Sequence, residues 1–230
     1  PSNPGEDPGK PTDPPSGEPK AKTEPVEPPT VIPEDPSSDS VTVEKSVDNA
    51  TRDDGTTHVG DTLRYTIKLA NSEVGSGWID AVIRDDIPEG LEPISGTIKL
   101  TLADGRELTV DDTAYDTKTR ILAVTCGRLY GGQSLSLTFD ALVTEEAPNA
   151  DIGNVALGYG TPPSKYDPDA PESEPGLPFD PPGGWDAWER DHEKVMSEKV
   201  FPPKVTEDGG VVADDEDKKS ANKQKGSTVK

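Results

Sequence analysis

Thr62-Leu63-Arg64-Tyr65-Thr66-Ile67-Lys68-Leu69-Ala70 alternates with period two. Leu63, Tyr65, Ile67 and Leu69 share one side of an extended chain, and Arg64, Thr66 and Lys68 share the other. That pattern predicts a half-buried β-strand, and the same pattern recurs outward in both directions. Upstream, Val41, Val43, Lys45 and Val47 fall on one face, opposite Thr42, Glu44, Ser46 and Asp48. Downstream, Ile79, Ala81, Ile83, Asp85 and Ile87 line up before Pro88-Glu89-Gly90 turns the chain. Further strands are predicted over 96–102, 106–110, 120–126, 134–143 and 152–159, with Ala103-Asp104-Gly105 as a hairpin turn. Many short strands, with no helices between them, predict an all-β, immunoglobulin-like antiparallel sandwich rather than an α/β enzyme.

Composition limits how much of the chain takes part. Of 230 residues only 30% are hydrophobic and 5% aromatic, too few to bury a core along the whole length. Of the 25 prolines, only Pro88, Pro93 and Pro148 lie between positions 37 and 161. Proline cannot donate to a sheet ladder, so the Pro-poor stretch is the folded one. The expected organisation is a disordered Pro-rich linker over 1–39, a sandwich over 40–161, and an acidic Pro-rich linker over 162–218. Residues 219–230 are expected to be a disordered tail or the start of a next repeat. Within the second linker, Trp185, Trp188, His192, Val195 and Met196 share one helical face, predicting a short helix over 185–199 capped by Asp186. That helix would be transient, or would dock on the sandwich or on a partner.

The net charge of −22 disfavours nucleic acid and anionic lipid as partners. No EF-hand-type loop is present, and Asp53-Asp54-Gly55 alone is a weak cation signal; no metal or cofactor is expected. His192-Glu193 fails the zinc motif because position 196 is Met, and both histidines are expected to be exposed. The lone cysteine, Cys126, excludes an intrachain disulfide and sits in an apolar run, predicting a buried, inert thiol. There is no signal peptide or apolar membrane-spanning run, and the first residue is Pro, which suggests a mature or excised piece.

Three polar residues break the apolar pattern. Alternation turns Lys45 inward among valines and Asp85 inward between Ile83 and Ile87, while Asp86 shares the outer face with Arg84. Asn154 lies in Ile152-Gly153-Asn154-Val155-Ala156-Leu157, an almost wholly apolar run. Buried charges are normally paired. One arrangement is a Lys45–Asp85 ion pair, with Asn154 satisfying backbone groups at a strand end. The other is covalent. Burial lowers a lysine pKa and raises an aspartate pKa, so a neutral Lys45 amine could attack the Asn154 carboxamide while protonated Asp85 assists. An amide would then join the first strand to the last, in a single turnover.

Five segments in order carry a family likeness: Val43-Glu44-Lys45-Ser46-Val47; Val59-Gly60-Asp61-Thr62-Leu63-Arg64-Tyr65-Thr66-Ile67; Ile83-Arg84-Asp85-Asp86-Ile87-Pro88-Glu89-Gly90-Leu91; Gly131-Gly132-Gln133-Ser134-Leu135; and Ile152-Gly153-Asn154-Val155-Ala156. Together they resemble the Gram-positive fimbrial isopeptide-forming domain and the DUF11-like conserved repeat domain of bacterial surface proteins. The resemblance implies a CnaA-type sandwich used as a stalk or spacer, in tandem with other domains of the same polypeptide. It also implies a crosslink between Lys45 and Asn154, assisted by Asp85. Asp86 stands where the family more usually has Thr.

The C-terminal Lys219-Ser220-Ala221-Asn222 resembles Lys45-Ser46-Val47-Asp48, as if a second repeat began there. On this reading the chain is a non-enzymatic surface module of a bacterial cell-wall adhesin or pilin-like protein. A module that binds a host or matrix ligand is the alternative. An ancillary domain of a larger secreted enzyme is another, although no catalytic triad, metal cluster or phosphate loop supports it.

Overall fold

A computed structural model describes residues 32–167, 169, 173–203 and 211. The expectations for 1–31 and 219–230 lie outside these residues. Among the described residues, eleven strands form two antiparallel sheets, in chain order β1 (Val41–Asn49), β2 (Thr62–Asn71), β3 (Gly77–Asp86), β4 (Leu91–Pro93), β5 (Lys99–Thr101), β6 (Glu107–Thr109), β7 (Tyr115–Asp116), β8 (Ile121–Tyr130), β9 (Ser134–Val143), β10 (Ala156–Thr161) and β11 (Glu193–Met196). One sheet has the order β1-β2-β9-β5-β6, with β4 also on β9; the other has β11-β10-β3-β8-β7. The sandwich expected from alternation is therefore present.

Leu63, Tyr65, Ile67 and Leu69 are fully buried, as are Leu137, Phe139 and Ala141 or nearly so, and these interior residues come from strands paired in register (Tyr65↔Phe139, Ile67↔Leu137). Because side chains alternate, one correct pair places the whole strand correctly. The Ala103-Asp104-Gly105 turn joins β5 to β6. Gly105 has φ +85°, a left-handed conformation, and Leu102 N–H donates to Arg106 O at 2.8 Å.

Four local expectations are corrected. In β3 the register slips between Trp78 and Ala81, and Asp80 has φ 52°. This bulge reverses the parity upstream of it, so Trp78 joins Ala81 and Ile83 in the main core cluster, while Ile79, also buried, lies outside that cluster. Gly160 on the neighbouring strand leaves room for the indole: a Cβ there would lie 2.4 Å from it. The strand expected over 152–159 begins at Ala156 instead, and Asn154 forms an isolated bridge with Val200.

The helix expected over 185–199 is one turn, α1 (Trp185–Trp188). Gly184 rather than Asp186 is at its N-cap position, and β11 follows. So short a helix has little stability of its own, whereas the open edge of β10 offers a ready-made backbone ladder. Finally, His58 and His192 are half-buried rather than exposed; His192 stacks on Trp188 with centroids 3.7 Å apart.

The chain after Thr161 thus belongs to the fold. Thr125 N–H donates to Leu177 O (2.9 Å) and Phe179 N–H to Ala123 O (3.1 Å), which places residues 177–179 along β8. Phe179, Trp185, Trp188 and Tyr159 then pack together, with centroids 5.1–5.8 Å apart. β11 closes the far edge against β10, with Leu157↔Met196 and Gly160↔Glu193 in register. Residues 177–200 are a strap running from one edge of the second sheet to the other, ending on the Asn154–Val200 bridge.

Candidate functional site

Lys45 sits on β1, opposite Ile67 of β2, and its side chain enters the space between the sheets. Asp85 reaches the same space from β3 of the other sheet, flanked by Leu122 of β8 and Ala156 of β10. Lys45 Nζ donates to Asp85 Oδ2, and both side chains are 0% exposed. Asp86 points outward and pairs with Arg84 at 2.7 Å, so Asp85 is the carboxyl that meets the lysine.

Asn154 is also buried, at 1% exposure. It precedes by two residues Ala156, the register partner of Asp85, and so occupies the diagonal position on the same face. The carboxamide stands beside Asp85, close enough to draw its pKa down, yet neither Nδ2 nor Oδ1 meets hydrogen-bond geometry. Asp85 Oδ1 is likewise without a partner. The three polar residues singled out in the sequence therefore converge.

The surroundings are dry. Tyr65 lies beneath the ammonium, with Nζ 5.0 Å from the ring centroid, and stacks on Phe139 at 5.2 Å. The Tyr65 hydroxyl is buried without a partner, and burial together with the Asp85 charge raises its pKa. Burial pushes the Lys45 pKa down and the Asp85 pKa up, each shift opposed by the partner's charge. Both shifts favour the uncharged forms, a free amine and a carboxylic acid. Cys126, the other candidate nucleophile, is buried with its thiol pushed up to about 12 and takes no part in the cluster.

Two features were not anticipated. Alternation placed Tyr65 inward but gave no sign that its ring would form the floor beneath Lys45. The clamp on Asn154 comes from Val200, in a segment that had been expected to be linker. Asn154 N–H donates to Val200 O, and Val200 N–H to Asn154 O, each at 2.9 Å.

No protein-family model matches the chain, and no curated protein matches it. Among solved structures, the full-length major pilin SpaD of Corynebacterium diphtheriae is 19% identical with a TM-score of 0.45, covering 70% of this chain and 35% of the pilin. BcpA, the major pilin subunit of Bacillus cereus, is 15% identical with a TM-score of 0.40, covering 70% of this chain and 39% of BcpA. The collagen-binding domain from a Staphylococcus aureus adhesin is 17% identical with a TM-score of 0.36, covering 66% of this chain and 95% of that domain. The chain thus spans well under half the length of either pilin. At identities and TM-scores this low, these likenesses carry no functional argument.

Proposed function

We propose that this chain is a structural stalk or spacer module of a bacterial cell-surface adhesin or pilin-like protein, locked by an intramolecular Lys45–Asn154 amide. Its Pro-rich N-terminal flank acts as a spacer between tandem domains outside the cell. The observation that carries the reading is the buried Lys45–Asp85 pair beside an Asn154 carboxamide that satisfies no hydrogen bond. Buried polar atoms without partners are rare and costly, and condensation accounts for these.

Proton transfer within the pair leaves Lys45 as the amine and Asp85 as the acid. Lys45 Nζ attacks Asn154 Cγ while Asp85 donates a hydrogen bond to Oδ1, so the charge developing there is stabilised away from water. The Nζ–Cγ bond forms, the Cγ–Nδ2 bond breaks, and Nδ2 leaves as ammonia with the proton given up by Nζ. Asp85 relays that proton and ends protonated, donating to the new amide carbonyl. No oxidant, metal or cofactor enters the balance.

Intact mass tests the reading: the purified chain is expected to be lighter than its sequence by one ammonia. Peptide mapping is expected to recover Lys45 and Asn154 on one branched peptide. A full-length mass with both side chains free overturns it.

A further inference from the structure

We infer that the end of the strap, Ser197 to Val200, positions Asn154 for the crosslink. This inference rests on the condensation proposed above. Asn154 lies outside the ladder that orders the rest of its strand, since the register between β10 and β3 starts at Ala156↔Asp85. Among the described residues, the backbone of Asn154 is held by Val200 alone, through the reciprocal pair of 2.9 Å hydrogen bonds.

Two residues on, Ala156 is held in the same way. Its N–H donates to Ser197 Oγ at 2.9 Å and its carbonyl accepts from Ser197 N–H at 2.9 Å. Gly153 is pinned from above: a Cβ there would lie 2.3 Å from Lys199 Cε and 2.5 Å from Phe201 Cε1. Lys199 Nζ also bonds Asp151 Oδ2. Asp151, Gly153, Asn154 and Ala156 thus each meet a residue between 197 and 201.

Glu198, within the same end of the strap, lines a cleft of about 450 Å³ together with Val43, Lys45 and Ser46 of β1. Amide formation needs the amine and carbonyl carbon held in near-attack geometry, and a displacement of about 1 Å costs on the order of a hundredfold in rate. The strap is anchored elsewhere by its contacts with β8 and by the aromatic cluster at Tyr159. Loosening its end therefore leaves the sandwich standing.

The test follows ammonia loss in newly synthesised full-length chain, sampled by intact mass over time, with far-UV circular dichroism on each variant. Val200→Ala keeps the backbone donor and acceptor and is expected to react at the parent rate. Val200→Pro removes the donor to Asn154 O and is expected to slow ammonia loss on the order of a hundredfold with the sheet signal retained. Ser197→Ala, which leaves the backbone bridge intact, is the second variant should Val200→Pro fail to fold; it is expected to slow the reaction several-fold. A folded Val200→Pro or Ser197→Ala that loses ammonia at the parent rate overturns the positioning role. A parent that never loses ammonia overturns the crosslink and this inference with it, an outcome told apart by the parent's own mass.

Discussion

Asn154→Ala separates the two accounts of the buried cluster by magnitude. In the folded chain the Asn154 side chain makes no hydrogen bond, and the substitution leaves the Lys45–Asp85 pair intact, creating no uncompensated charge. Without a crosslink, its effect is therefore confined to a small loss of packing, about 1 kcal/mol. With a crosslink, the variant releases a closed loop of about 110 residues in the unfolded chain. Treated as a disulfide would be, that loop closure is worth about 5 kcal/mol.

For a domain of this size, 5 kcal/mol corresponds to roughly 10–20 °C in Tm. The assay is thermal unfolding of parent and variant by circular dichroism, with intact mass measured on the same samples. The expected result is a parent lighter by one ammonia that melts at least about 10 °C above Asn154→Ala. A crosslinked parent melting within about 3 °C of the variant would refute the loop-closure reasoning. A parent of full mass would refute the crosslink itself.

Crosslinking rate against pH is expected to follow the directions of the two shifts. It rises as pH climbs through the lowered pKa of Lys45 and falls as pH climbs through the raised pKa of Asp85, with apparent values that belong to the pair. A rate still climbing towards the ordinary lysine value of 10.5 would show an unperturbed amine. Asp61 ties down the loop between β1 and β2: its carboxylate accepts from Arg52 Nε (2.7 Å), Arg52 Nη2 (2.8 Å), Asn49 Nδ2 (2.8 Å) and His58 N–H (2.9 Å). Burial pushes its pKa up, but these donors together bring it below the ordinary 3.8, so its contribution is full above 3.8 and disappears as pH falls through the lowered folded value. With Arg52 one-third exposed, Asp61→Ala is expected to cost about 2 kcal/mol in urea unfolding at pH 7; the difference from the parent should vanish in acid, and persistence there would contradict the assignment. Tyr65→Phe, made in the Asn154→Ala background, is expected to be neutral or to stabilise by about 1 kcal/mol, because the hydroxyl it deletes is buried without a partner. A clear loss of stability would reveal a bond to that hydroxyl.

Much of the fold was legible because strand periodicity is a local property. Alternation around Leu63, Tyr65, Ile67 and Leu69 determined which side chains enter the core, and the same count turned Lys45 and Asp85 inward. What escaped it was non-local. The bulge at Asp80 puts Trp78 where alternation had Ile79 in the main core cluster, and nothing in that stretch marks an Asp with positive φ. Trp185, Trp188, His192, Val195 and Met196 keep helical spacing. Yet the tryptophans are placed by an aromatic cluster on the outer face of the sheet, and Val195 by the free edge of β10.

By itself, then, the sequence determined an antiparallel sandwich and the inward facing of an amine and a carboxylic acid. Period two counts faces, and it does so without knowing what lies across the core. Only the tertiary structure decided that Lys45 from one sheet meets Asp85 from the other, that Asp86 does not, and that Asn154 is held beside them by Val200. Those meetings depend on how two sheets stack and where a distant strap lands, and residues so far apart in the chain carry no local signal of either.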